Sequence, residues 1–291
     1  MDILLTGGNG FVGSHVYDRL KKGYSVRIFD SEPQFVGQDI TKYDKVSEDM
    51  ENKNMVIHLA GHSGAIGSKE NIYNYFNVNS FGTLNVLDAM VEHNIKHIIF
   101  ASSFSTYGTP KKLPVTERTP LNPNNVYGHS KVMAEELIRS YSEEYGITAT
   151  ILRINMIYGE NQTEMNAIQG FVDSALHGKP LLIFGDGNHT REFVYVGDVA
   201  ECIAKCVDKK PNDTFIVSTE KPYTMNDVAE IVSGKIPNTT IKHIQKTRFN
   251  FNSSTDCKKI HDELKWKHKI DLPDGIDRVI SWRKSISSDQ L

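Results

Sequence analysis

The chain reads as an α/β protein: a doubly wound parallel sheet followed by a smaller C-terminal α/β region. Three observations predict this. Short apolar runs alternate with amphipathic stretches through the first half, the pattern of strand–helix–strand units that build parallel sheets. The first apolar run, Ile3-Leu4-Leu5, breaks at once into the glycine-rich turn Thr6–Gly13. Beyond Met156 the alternation loosens: loops lengthen, strands shorten, and Pro180, Gly185 and Gly187 punctuate the chain.

The elements follow in order. Strands are expected at Ile3–Leu5, Ser25–Phe29, Met55–Leu59, His97–Ala101 and Ala149–Arg153. Continuous apolar character suits strands buried on both faces. Helices are expected between them, at Phe11–Lys21, at Asp44–Met50, around Ile72–His93 and at Lys131–Tyr145. In the third of these, Leu84, Leu87 and Val91 recur at i, i+3, i+7 and mark a core-facing stripe. The Pro-rich stretch Pro110–Pro123 reads as a loop leading into the last.

The glycine turn runs Gly7-x-x-Gly10-x-x-Gly13, and Phe11, Val12, Val16 and Leu20 open the helix after it. Strand, glycine turn and helix together let backbone N–H groups hold a pyrophosphate. The second strand ends at Asp30. A carboxylate there can accept from both adenosine ribose hydroxyls and repels a 2′-phosphate, which argues for NAD over NADP. Residues 1–155 therefore read as an NAD-binding domain, joined by a returning strand and helix near 185–210. Residues 156–291 read as a substrate-binding region.

Tyr127-Gly128-His129-Ser130-Lys131 carries a Tyr-x-x-x-Lys pair downstream of that turn. A phenol is a poor base at neutral pH. A lysine four residues on shares its helix face, and its charge is expected to favour the phenolate.

Bulk properties exclude other classes. The chain has 291 residues, 39% hydrophobic and 24% charged, with a net charge of −3 and interspersed signs. No basic patch or stripe suggests nucleic acid or a membrane surface. No apolar window is long enough to span a bilayer, and the first apolar run is too short for a leader peptide. Cys202, Cys206 and Cys257 form an odd set without C-x-x-C spacing, which suits a reducing cytoplasm; packing, not metal binding, is expected of them. No metal site is expected.

The ordered set of motifs resembles the extended short-chain dehydrogenase/reductases, and within them the NAD-dependent nucleotide-sugar epimerase/dehydratase family, with its Rossmann fold. The pieces run Thr6–Gly13, Asp30, Gln38-Asp39-Ile40, Ile57–Gly61, Asn77-Val78-Asn79 with Gly82-Thr83, and Ser102-Ser103. They continue with Tyr107-Gly108, Tyr127–Lys131, Leu152-Arg153, Tyr158-Gly159 and Gly185-Asp186-Gly187-x-x-x-Arg191-x-Phe193-Val194. The resemblance implies that Gly7, Gly10, Phe11, Val12 and Gly13 bind the pyrophosphate and Asp30 the adenosine ribose. It places Asp39 and Ile40 beside the adenine, Leu59, Ala60 and Gly61 along the cofactor, and Asn79 near the nicotinamide ribose. Tyr127 matches the family's base, Lys131 its ribose-binding partner, Ser103 the hydroxyl on the reacting sugar oxygen, and Arg191 an arginine that meets the nucleotide diphosphate. His58 reads as structural, and His62 faces the cofactor cleft. The resemblance also implies a nucleotide-diphosphate sugar as substrate and a homodimer through the helices near 82–94 and 130–145.

Three departures bear on the reaction. Family dehydratases carry Asp-Glu after the serine position, and related decarboxylases carry Glu at the second; here Phe104-Ser105 stand there. The asparagine expected two residues before Tyr158-Gly159 is Met156, with Asn155 one residue early. Asn155 keeps the substrate-binding expectation, although a one-residue offset in extended chain reverses the side chain. Few residues separate Asp30 from Phe35, which implies an open adenine edge. The set points to a 4-epimerase: oxidation at sugar C4, then hydride return to the other face. A 4-keto reductase or sugar dehydrogenase would use the same residues. A non-catalytic NAD-binding scaffold is the reading of another class, and the intact Ser103, Tyr127 and Lys131 argue against it.

Overall fold

The computed structural model describes residues 1–31, 38–63, 69–245 and 252–286. Phe35, which marks the short adenine-side loop, lies outside the described residues. The first half runs β1 (Asp2–Thr6), α1 (Phe11–Leu20), β2 (Ser25–Phe29), α2 (Tyr43–Met50), β3 (Met55–His58), α3 (Lys69–Asn74), α4 (Gly82–Glu92), β4 (His97–Ser103), α5 (Val126–Tyr145) and β5 (Thr148–Ile154). The second runs β6 (Met156–Tyr158), α6 (Ala167–Leu176), β7 (Leu181–Phe184), β8 (Thr190–Tyr195), α7 (Val196–Lys209), β9 (Asp213–Val217), β10 (Pro222–Thr224), α8 (Met225–Lys235), β11 (Ile241–Ile244), α9 (Lys258–Leu264) and α10 (Leu272–Ser285).

Six strands form one sheet in the order β2-β1-β3-β4-β5-β9, and every pair in it is parallel. Strand alternation divides the apolar residues between two faces. Ile3, Leu5, Met55, Ile57 and Ile99 pack with α1 and α7 on one side. Leu4, Val56, Ile98 and Phe100 pack with α2, α4 and α5 on the other. Burial on both faces is why these strands read as unbroken apolar runs. The chain reverses its winding between β1 and β3, and a crevice opens at the strands' C-terminal ends there.

The expected helix around 72–93 is not one regular helix. Between α3 and α4 the backbone is π-helical over Tyr75–Phe81. Such insertions re-aim side chains and recur at functional sites.

The expected return near 185–210 also divides. Helix α7 packs against α1 on the main sheet. The strand before it, β8, pairs instead with β6 and β10 in a separate three-stranded sheet. Its alternation explains this placement: Val194 enters the main core, whereas Phe193 and Tyr195 enter a third core with α6, α8 and α10. The strand that rejoins the main sheet is β9, against β5.

Cys202, Cys206 and Cys257 are free thiols buried in the main core. Among the described residues no helix is long and apolar enough to cross a membrane, and no cluster of metal-binding side chains occurs.

Candidate active site

A cleft of about 610 Å³ lies along the C-terminal ends of β1 to β5. Its floor is the glycine turn. Gly7 has φ +70, which a side chain rarely adopts. A Cβ on Gly13 would stand 2.0 Å from the Gly7 carbonyl oxygen, so only glycine lets α1 start this close to β1. Helix α1 has no side-chain cap, and its first backward bond runs from Ser14 N to Gly10 O at 3.0 Å. The amides of Phe11, Val12 and Gly13 precede that bond, and all three residues line the cleft. Uncapped first-turn N–H groups are donors for an anion.

Asp30 stands beside the turn. Its Oδ2 accepts the Asn9 amide at 2.8 Å, which fixes the carboxylate at the cleft's edge. Asp39 and Ile40 continue that wall. Leu59, Ala60 and Gly61 form the facing wall, where Thr6 anchors both the Leu59 amide, at 3.1 Å, and the Ala60 amide, at 3.2 Å.

At the other end, α5 begins with Asn125, whose side chain accepts the Gly128 amide at 2.8 Å. That cap sets Tyr127 in the first turn and Lys131 one turn on, on the same face as expected. Both line the cleft with Ser103, the last residue of β4. Lys131 Nζ donates to the Ala101 carbonyl at 2.9 Å and sits 4.9 Å from the centre of the Phe100 ring. Burial draws its pKa down to about 8, against the opposing pull of Glu135.

The expected lowering of the Tyr127 pKa does not occur. Burial pushes the phenol above its ordinary value, hydrogen bonding with Ser103 opposes the rise, and the charge of Glu164 adds to it. Burial is the main reason; the Lys131 ammonium is bonded to a main-chain carbonyl, and Glu164, in the loop after β6, adds a like charge.

Behind Ser103 lies a buried ionic network. Glu135 accepts from Ser102 Oγ at 2.5 Å, Arg153 Nη2 at 2.6 Å and Arg139 Nη2 at 2.6 Å. Arg153 Nη1 also donates to the Tyr107 hydroxyl at 2.9 Å. This network fixes β4, β5 and α5 relative to one another. His58 is structural as expected: its ring bridges the Thr6 and Thr83 hydroxyls at 2.7 and 2.9 Å.

Two expected residues, Asn79 and Arg191, stand elsewhere, and a third, Asn155, lines the cleft with its amide bonded inward. Asn79 is buried behind the wall, not on it; its amide holds the main chain of His62 and donates to Ser130 Oγ at 3.0 Å. Arg191, on β8, is not among the lining residues, and its Nη1 donates to the Thr190 carbonyl at 2.8 Å. Asn155 lines the cleft, but its amide is turned to internal work: Nδ2 donates to Ser218 and Ser253, and Oδ1 accepts the Met156 amide at 2.9 Å. His62 does line the cleft, and its Nε2 is buried without a protein partner among the described residues.

Sequence reasoning missed Gln162, Thr163 and Glu164, which complete the lining. Their signal was position alone, a polar loop at a strand's C-terminal end, where α/β ligands face.

The sequence profile described as the NAD dependent epimerase/dehydratase family matches residues 3–218. The chain belongs to this family. NAD is the cofactor of this epimerase/dehydratase family member, and its residues fit that group. Gly7 and Gly13 leave no room for a Cβ, the α1 amides are uncapped, and Asp30 is held at the cleft's edge beside the turn. The chain is similar to a Methanocaldococcus jannaschii protein provisionally named as a UDP-glucose 4-epimerase. The two are 37% identical, over 97% of this chain and 98% of that one. It is also similar to the Thermotoga maritima UDP-glucose 4-epimerase solved with UDP-glucose, at 27% identity and a TM-score of 0.89, covering 99% of this chain and 100% of that one. The Bacillus cereus UDP-glucuronic acid 4-epimerase, solved with UDP-glucuronic acid and NAD, matches at 25% identity and a TM-score of 0.89, with the same coverage.

Proposed function

We propose that this epimerase-family protein is a nucleotide-sugar 4-epimerase. The observation that carries the reading is one cleft that joins the glycine turn and Asp30 to Ser103, Tyr127 and Lys131. Bound NAD supplies the acceptance and return of hydride. Gly7, Gly10, Phe11, Val12 and Gly13 would hold its pyrophosphate, Asp30 its adenosine ribose, and Asp39 and Ile40 its adenine. Leu59, Ala60 and Gly61 would wall its length, and Lys131 would bond its second ribose. Asn79 would act by positioning the wall.

Tyr127, as the phenolate, takes the proton of the sugar C4 hydroxyl, and Ser103 aligns that oxygen. The resulting 4-keto sugar turns within the cleft, and Tyr127 returns the proton after the other face is reduced. Phe104 and Ser105 offer no carboxylate beside Ser103 for elimination. In this reading residues 1–155, with α7 and β9, serve the cofactor, and residues 156–291 serve the substrate, with Arg191 toward the diphosphate. Asn155 supports the substrate wall through its internal bonds. Exposed Phe81, Met133 and Tyr145, at or near α4 and α5, support pairing of two copies through the helices near 82–94 and 130–145.

The test is mass spectrometry and absorbance with UDP-, GDP-, CDP- and dTDP-sugars. The expected reaction is redox-neutral, proceeds with cofactor at or below enzyme concentration, and keeps deuterium placed at the epimerised carbon. Lasting NADH accumulation would mark a dehydrogenase instead. NADH consumption with a keto sugar alone would mark a reductase, and inertness across the panel would refute the assignment.

A further inference from the structure

Glu164 is a charged group at the catalytic end of the cleft that the proposed reaction leaves unused. It projects from the loop between β6 and α6 and lines the same cleft as Ser103, Tyr127 and Lys131. Its Oε1 accepts a hydrogen bond from the Ser63 hydroxyl, which reaches across from the loop after β3. The residue is exposed, so it meets what enters the cleft and not the core. Its charge disfavours ionisation of both Tyr127 and Tyr75, whose rings stand 5.9 Å apart.

A carboxylate in this place acts on the sugar beside Tyr127. In a hexose, C6 is separated from C4 by a single carbon. A hexuronate carries its own carboxylate at C6, and two like charges at such range repel. An offsetting cation would have to come from the same end. Among the described lining residues the lysine there is Lys131, whose Nζ is buried and bonded to Ala101, and none is an arginine. A C6 hydroxymethyl group meets no such repulsion and can donate to Glu164 in place of Ser63.

We propose that Glu164 selects the sugar by charge, so that the site takes nucleotide sugars uncharged at C6 and rejects hexuronates. The inference rests on the reading that the sugar reacts at C4 beside Tyr127.

Calorimetric titration of the full chain loaded with NAD tests it, with UDP-glucose and UDP-glucuronate as a matched pair. UDP-glucose should bind at least about tenfold tighter, a clear difference on the affinity scale. Glu164→Gln, which keeps a hydrogen-bonding group for Ser63, should narrow that ratio at least about tenfold by strengthening UDP-glucuronate. Glu164→Asp, which keeps the charge, should retain the preference. Glu164→Gln should also move the limb on which the rate rises with pH to lower pH, because Tyr127 then ionises more readily, which a merely structural role would not do. Equal affinities in the wild type, or a preference unmoved by Glu164→Gln, would overturn the proposal. Product analysis with the panel of UDP-, GDP-, CDP- and dTDP-sugars separates the two readings. An epimer formed without charge preference sinks the charge filter alone. Charge preference without an epimer sinks the reaction assignment alone. Binding of no sugar of the panel sinks both.

Discussion

Asn79 holds His62 by both of its main-chain groups: its Oδ1 accepts the His62 amide at 2.7 Å, and its Nδ2 donates to the His62 carbonyl at 3.1 Å. The clamp reaches from the π-helical segment to the cleft wall. The His62 ring then stands 5.0 Å from Tyr75, and Tyr75 stands 5.9 Å from Tyr127. Asn79→Ala would strand two main-chain groups of His62, while the Ser130 hydroxyl keeps its donation to the Tyr127 carbonyl. A loss of about 1–3 kcal/mol is expected, the cost of buried polar groups left unsatisfied. Urea denaturation checks it, and an unchanged midpoint would show that water replaces the amide.

Tyr127→Phe removes the phenol and keeps the ring that packs on Tyr75. Turnover should fall at least about a hundredfold, the usual scale for loss of a general acid–base group. NAD titration should still show binding. Activity within a few-fold of wild type would place the base elsewhere.

Asp30 is expected to set the choice of dinucleotide. Its carboxylate, held by the Asn9 amide, repels a 2′-phosphate. Fluorescence titration should find NADH bound much tighter than NADPH, and Asp30→Ala should narrow the gap. Equal affinities in the wild type would contradict this role.

Gly13→Ala would drive a methyl to 2.0 Å from the Gly7 carbonyl and 2.7 Å from Gly8 Cα. Backbone cannot yield as a flexible side chain does, so α1 must move away from β1. A stability loss of about 1–3 kcal/mol is expected from the overpacking, together with loss of NAD affinity. Retained affinity would mean that the turn re-forms around the methyl.

His58 makes stability depend on acid. Burial, and after it the charge of Lys131, lowers its pKa from 6.5 to about 3. Above pH 6.5 the ring is neutral in folded and unfolded chains alike. Below that, the unfolded chain takes up a proton that the folded chain refuses until about pH 3, so stability is lost across this window. His58→Gln should flatten the decline, measured as thermal midpoints from pH 7 downward. A parallel decline in both proteins would assign the acid lability to other groups.

The first half was legible because its signals are local. Ile3-Leu4-Leu5 reports burial on both faces, and Gly7 and Gly13 report a turn that only glycine permits. What was not legible depends on distant partners. The stripe Leu84, Leu87, Val91 reads as plain helix, and nothing in it announces the π-helical Tyr75–Phe81 that turns Asn79 inward. Arg191 falls in the right motif, yet β8 takes its place through Phe193, Val194 and Tyr195, which belong to two different cores. The pairing of Tyr127 with Lys131 suggested an acidic phenol. Lys131 donates to Ala101, and the burial of Tyr127 within the folded cleft decides the direction, with the charge of Glu164, far along the chain, adding to it.

Strand β9 has a bearing on how the protein can be handled as a gene product. The chain leaves the main sheet after β5, builds the outer region, and comes back to lie along β5 from Thr150↔Asp213 to Ile154↔Val217. The boundary proposed after residue 155 is thus not a boundary of structure. A piece cut there would end in a bare seven-residue edge, open to stacking on other copies of itself. The two regions are woven, not tethered, and a truncated cofactor-binding fragment is a poor substitute for the intact polypeptide.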